Sequence, residues 1–141
     1  RLSEGRGRLL VPVWGIRSWP KAYASKTRED GARGAPSGKA GSVLEAEHPV
    51  VRTHPETGRK ALYVNVAHTT RFRGMTEAES APILQYLFRH QVRPEFTCRF
   101  RWEKGSIALW DNRCAQHNPV NDYHGQRRVM HRITLKGDRP R

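Results

Sequence analysis

Residues 96–102 alternate strictly. Phe96, Cys98, Phe100 and Trp102 fall on one side of an extended chain, and Thr97, Arg99 and Arg101 on the other. A period of two suits a strand with one buried and one wet face, and no helix satisfies it. Lys104-Gly105 supplies a turn, and residues 106–111 (SIALWD) read as a return strand, so 96–111 is predicted to be a β-hairpin. The alternation resumes over 128–136: Val129, His131, Ile133 and Leu135 share one face, and Arg128, Met130, Arg132 and Thr134 the other. A shorter strand is predicted over 61–65 (ALYVN), after the turn Glu56-Thr57-Gly58. One segment breaks the pattern. Thr76 and Glu79 have capping-box spacing, and Ile83, Leu84, Leu87 and Phe88 then recur at helical intervals. Pro82 lacks an N–H and predicts a kink or a separate first turn; Pro94 blocks further helix. One helix beside several antiparallel strands predicts a mainly β fold with a helical insert.

The chain has 141 residues, enough for one domain or a piece of one. Residues 1–47 are poorly patterned. Gly, Arg, Ser and Lys dominate there, and 31–41 (GARGAPSGKAG) reads as a flexible loop, so the segment is expected to be disordered, weakly packed or incomplete. From His48 onward the patterning is that of a folded domain, 48–141. The longest apolar runs fall far short of a membrane span, and residues 1–5 have no apolar signal core. The missing initiator Met suggests a chain that begins inside a longer reading frame. Two cysteines, Cys98 and Cys114, cannot build a disulfide scaffold, and a reducing, cytoplasmic setting is the expectation. Cys98, on the inward face of its strand, reads as a small core residue.

Twenty-six Lys and Arg against thirteen Asp and Glu give a net charge of +13. Such a balance suits a polyanion partner or an enzyme that holds small anions. The charge is spread, +6 over residues 1–41 and +7 over 42–141, with no dense basic run. That distribution argues against a nucleic-acid partner and for small anionic ligands.

Candidate chemistry gathers near the C-terminal end. His117 follows a predicted strand end in a polar stretch, and a neutral imidazole there could bind a metal. Arg128 and Arg132 lie four apart on one predicted strand, on the same face and ~13 Å apart. Guanidinium groups grip carboxylates and sulfonates in bidentate fashion, so this face offers two anion receptors. The residues alone leave open that His117 is a surface histidine and that both arginines are solvated charges. Asp111 and Asn112 read as a turn that aims His117. Asn65 reads as a strand-end hydrogen-bonding residue. A zinc site from Cys114, His117, His124 and His131 lacks the paired tight clusters of structural zinc.

Four stretches carry a resemblance. They are 48–65 (HPVVRTHPETGRKALYVN), the helix with LQYLF, 93–117 (RPEFTCRFRWEKGSIALWDNRCAQH) and 121–140 (NDYHGQRRVMHRITLKGDRP). Together they resemble the C-terminal portion of the taurine dioxygenase family, the Fe(II)- and 2-oxoglutarate-dependent oxygenases. Residues 1–47 resemble it only faintly, around Lys21-Ala22-Tyr23. The resemblance implies the C-terminal half of a double-stranded β-helix, or jelly roll. It implies His117 as the distal histidine of a 2-His-1-carboxylate iron triad. It implies Arg128 as the grip on the distal carboxylate of 2-oxoglutarate, Arg132 as the receptor of a substrate sulfonate such as that of taurine, and Trp110 as an aromatic lining the pocket near the metal. His68 takes a position where the family often places an aromatic near the substrate, which implies a more polar pocket. The implied reaction couples decarboxylation of 2-oxoglutarate to O₂-dependent hydroxylation of a small anionic substrate.

The family's other two iron ligands form a His-x-Asp motif, and no His-x-Asp occurs in 1–141. The one His-x-acid triplet, His54-Pro55-Glu56, reads as a turn. This chain therefore carries one expected iron ligand, and activity is expected of the intact enzyme. The alternatives are an inactive truncated dioxygenase and a basic nucleic-acid-binding module. A jelly roll needs about eight strands, and four or five are predicted here, so strand edges would stay open to pairing with a second copy.

Overall fold

The computed structural model describes residues 2–18, 45–120 and 122–141. The Gly-rich stretch 31–41 and the Lys21–Tyr23 region lie outside the described residues. The element order is α1 (Glu4–Leu10), β1 (Trp14–Ser18), β2 (Glu45–Pro49), β3 (Val51–Thr53), β4 (Lys60–Leu62), β5 (Thr69–Phe72) and α2 (Glu77–Gln91), followed by a 3₁₀ turn at Pro94–Phe96. With five strands and two helices, the described chain is mostly β.

β1 is the central strand of a three-stranded antiparallel sheet ordered β2-β1-β5. Trp14 faces Pro49 and Ser18 faces Glu45 on one side; Gly15 faces Phe72 on the other, with a register shift between Ile16 and Arg17. At Gly15 the strands are close: a Cβ there would lie 3.3 Å from the Thr69 Cγ2 on β5, a tight contact. β3 and β4 form a separate antiparallel ribbon, with Val51 facing Leu62 and Thr53 facing Lys60. Residues 2–18 thus hold more structure than their pattern signals: α1 delivers Leu10 to the core and β1 joins two strands that are distant in sequence.

The core is Leu10, Val50, Val64, Phe72, Leu84 and Leu87, all nearly inaccessible to solvent. Burying a side chain such as Leu87 or Phe72 contributes about 1.5–3 kcal/mol each. α2 begins with the predicted capping box: the Thr76 side chain accepts from the Glu79 backbone N–H, and the Glu79 carboxylate accepts from the Thr76 backbone N–H. Leu84 and Leu87 are buried as predicted and Phe88 packs beside them, whereas Ile83 is 40% exposed. The helix is continuous across Pro82. Pro82 and Ala78 are both exposed, so solvent can serve the Ala78 carbonyl that Pro82 leaves without a donor. Ser80, fully buried, donates to the Thr76 carbonyl at 2.8 Å and accepts from the Phe72 backbone N–H at 2.9 Å. That pair locks α2 onto β5.

The predicted hairpin 96–111 and strand 128–136 do not form ladders among the described residues; 97–120 and 122–141 run without helix or strand. Gly105 does turn the chain, with φ of 86°. Alternation marks which face a strand buries once it is paired, but it does not supply the partner. Without one, Ile107, Leu109, Ile133 and Leu135 stand 84–95% exposed. Cys98 is exposed as well, not the core residue expected, because its strand has no facing layer. No helix among the described residues is long and apolar enough to cross a membrane.

Candidate functional site

The segment that carries His117 is fastened to the folded body at two places. The first is a clasp on the turn at 111–114. Asp111 Oδ1 accepts from the Arg113 backbone N–H at 2.8 Å, and the Asp111 carbonyl accepts from Cys114 and Ala115. The Arg113 guanidinium donates to both Asp111 oxygens at 2.7–3.0 Å and reaches Glu56 at 2.7 Å. His54, 8% exposed at the end of β3, lies 3.0 Å from the Asp111 carboxylate through Nε2. Its Nδ1 accepts from the backbone N–H groups of Glu56 and Thr57 at 3.3 Å. The tautomer follows: an Nδ1 that accepts two amides puts the proton on Nε2, which donates to Asp111. Arg113 foremost, then His54, hold the Asp111 carboxyl well below the usual carboxylate range. Asp111 and then Glu56 push the Arg113 guanidinium up.

The second fastening is Gln116. Its amide donates to the buried Val64 carbonyl at 2.7 Å and to Gln91 at the end of α2 at 3.2 Å, and it accepts from Asn65 at 3.2 Å. Asn65 also caps the turn before β5 by accepting from Ala67 at 2.8 Å, the strand-end role its sequence position suggested. Within the segment, the Trp110 indole donates to Asn112 at 2.9 Å and its ring sits 5.1 Å from that of His117.

His117 itself is exposed, and neither ring nitrogen has a hydrogen-bond partner among the described residues. An imidazole oriented by its ring face and free at both nitrogens fits a metal ligand, and it can fill one coordination position. Arg128 is exposed, its guanidinium carbon 5.3 Å from the Tyr123 ring centroid; Arg132 is exposed. Neither forms an ion pair among the described residues, so both keep their donors for an anion. No described contact joins His117, Arg128 and Arg132 to one another. His68 is half-buried in the turn before β5, where its amide donates to the Asn65 carbonyl at 3.2 Å.

Among the described residues, one group of three potential metal donors lies together: His54, Asp111 and Cys114, within 4.8 Å. Its chemistry does not fit a metal. His54 uses both nitrogens, and Asp111 is saturated by Arg113 and His54. The Cys114–His117–His124–His131 grouping is not assembled among the described residues; Cys114 instead faces His54 and Asp111, and the other three are exposed. The sequence pattern marks the clasp partners His54 and Glu56 only as a turn, and assigns Gln116 no role of its own. Only the Asp-x-Arg of WDNR hinted at an ion pair, and nothing local pointed across more than fifty residues.

A family model described as "Taurine catabolism dioxygenase TauD, TfdA family" matches residues 14–134. An alpha-ketoglutarate-dependent sulfate ester dioxygenase from Pseudomonas putida is 39% identical over 142 residues, covering 99% of this chain and 47% of that protein. An alkylsulfatase from Acinetobacter baylyi is 45% identical over 94 residues, covering 67% of this chain and 29% of that protein. The crystal structure of a taurine dioxygenase from Burkholderia xenovorans is similar with a TM-score of 0.62 and 38% identity, over 81% of this chain and 34% of that one. The chain thus spans less than half the length of these relatives.

Proposed function

The chain belongs to the taurine catabolism dioxygenase TauD, TfdA family, and on that premise we propose that it is the C-terminal part of an Fe(II)- and 2-oxoglutarate-dependent dioxygenase acting on a small anionic substrate. The names of its relatives favour a substrate with a sulfonate or sulfate-ester group, taurine among them. The observation that carries the reading is His117: an imidazole with no protein partner on either nitrogen, at the end of a segment fastened by the Asp111 clasp and by Gln116.

His117 would hold the iron together with a His-x-Asp pair from a preceding segment. When bound, the iron supplies the O₂-dependent oxidation that converts 2-oxoglutarate to succinate and hydroxylates the substrate. The chain's own residues bind and orient. Arg128, stacked by its cationic face on Tyr123, keeps its N–H edge for the distal carboxylate of 2-oxoglutarate. Arg132 takes the substrate anion. Trp110, whose ring lies 5.1 Å from that of His117, would line the pocket beside it. His68 adds a polar wall on the substrate side. The exposed alternating faces of 97–111 and 128–136 are the surfaces against which the jelly roll's facing layer would pack.

The test joins this chain to the preceding half of the Pseudomonas putida relative, which would supply that pair. Fe(II)-dependent succinate formation in the chimera is the expected result. Arg128→Ala raises the KM for 2-oxoglutarate, and Arg132→Ala raises the KM for a sulfonate or sulfate ester. No turnover in a folded chimera, or an unchanged 2-oxoglutarate KM in Arg128→Ala, contradicts the reading.

A further inference from the structure

Beside the ribbon β3–β4 lies a group of cations that form no ion pair among the described residues. Arg52 on β3 is 4% exposed, yet its Nε has no hydrogen-bond partner. Its guanidinium carbon lies 5.2 Å from the Tyr63 ring centroid, and that of Arg17 lies 4.2 Å from the same centroid. Arg17 also donates to the Tyr63 carbonyl. His48 sits edge-on to this ring at 5.9 Å, and its Nδ1 is buried without a partner. Arg52 then lines an open cavity of about 420 Å³ with Thr53, Pro55, Asp138, Arg139 and Arg141.

The electrostatics are unbalanced. Among the described residues, Arg17, Arg52, Arg139 and Arg141 enter no ion pair; Glu45 and Glu47, the nearest acids on β2, pair with Arg71 and Arg73. Asp138 is the one acidic side chain lining the cavity. A π-face softens the repulsion between two guanidinium groups but does not cancel it. A buried guanidinium with an idle donor costs stability unless an acceptor reaches it. Burial first, then the proximity of Arg17, Arg139 and Arg52, pushes the His48 imidazole down.

We propose that the cleft between β3 and residues 138–141 binds a small doubly charged oxyanion of the sulfate or phosphate type, held by Arg52, Arg139 and Arg141. Planar guanidinium groups match the oxygen edges of such an anion, and Arg52, Arg139 and Arg141 bring three of them to one cleft. None of these residues is among His117, Arg128 and Arg132, so the inference stands or falls independently of the dioxygenase reading.

The test is calorimetric titration of the full 141-residue chain with sodium sulfate and, separately, sodium phosphate, against sodium chloride at equal ionic strength. Saturable one-to-one binding of both dianions, and none of chloride, is expected. Arg139→Gln, on an exposed position that leaves the core intact, weakens binding about tenfold, the loss of one charge-assisted contact. Arg52→Gln weakens it further, and a circular dichroism spectrum matching the parent separates that loss from unfolding. The double variant Arg99→Gln/Arg101→Gln, at exposed arginines away from the cleft, retains binding. Non-saturable heats matching chloride, affinity unchanged in Arg139→Gln, or binding lost in the Arg99/Arg101 double variant would each overturn the proposal.

Discussion

Ser80→Ala removes one hydroxyl from the α2–β5 joint, and its cost can be worked bond by bond. The hydroxyl is fully buried, accepts from the Phe72 N–H at 2.9 Å and donates to the Thr76 carbonyl at 2.8 Å. The Thr76 carbonyl keeps a second donor, the Ser80 backbone N–H at 3.1 Å, so little is lost there. The Phe72 amide keeps none, in a residue that is 1% exposed. An orphaned buried donor costs about 1–3 kcal/mol. Alanine returns a few tenths of a kcal/mol, roughly, through its better helix propensity. The net loss is about 1–2 kcal/mol. In urea unfolding followed by circular dichroism, with a slope of roughly 2 kcal/mol/M, the midpoint drops by roughly 0.5–1 M at constant slope. A midpoint unchanged or raised would refute the reasoning, because it would mean that the Phe72 amide is not dependent on Ser80.

Thr76→Ala breaks the capping box and lowers stability by about 1 kcal/mol in the same assay. Hydrogen bonds from Thr76 hold the Glu79 carboxyl below its ordinary value of 4.5, so its contribution is complete above that pH and fades as pH falls through the lowered value; the parent–variant gap closes on acidification. Arg113→Gln releases the clasp, and amide exchange across 110–117 accelerates while exchange in α2 does not change. Asp111 likewise stabilises the clasp fully above its ordinary 3.8 and loses it only as pH falls through its depressed value. In Arg113→Gln the acid transition of Trp110 fluorescence therefore moves up toward pH 3.8.

Local chemistry made α2 legible: the Thr76–Glu79 box and the Leu84/Leu87 spacing both depend on residues within two turns. The same locality explains what was missed. β1 has no pattern of its own beyond five residues and exists because β2 and β5 pair with it, a fact that WGIRS does not encode. The 96–102 alternation predicts a buried face and a hairpin, and neither forms among the described residues, since burial and pairing both need a partner that the local pattern does not supply. His117, Arg128 and Arg132 were legible as residue types able to bind a metal and anions, and their roles came from the resemblance. The clasp was not legible, because His54 and Asp111 are joined only by the fold.

The most direct measurement of the central claim is Fe(II) affinity in the chimera with the preceding family half, with and without His117. The parent chimera binds one Fe(II) per chain. His117→Ala retains the parent circular dichroism spectrum but loses tight Fe(II) binding and succinate formation together. Iron binding and turnover left intact in His117→Ala would contradict the account.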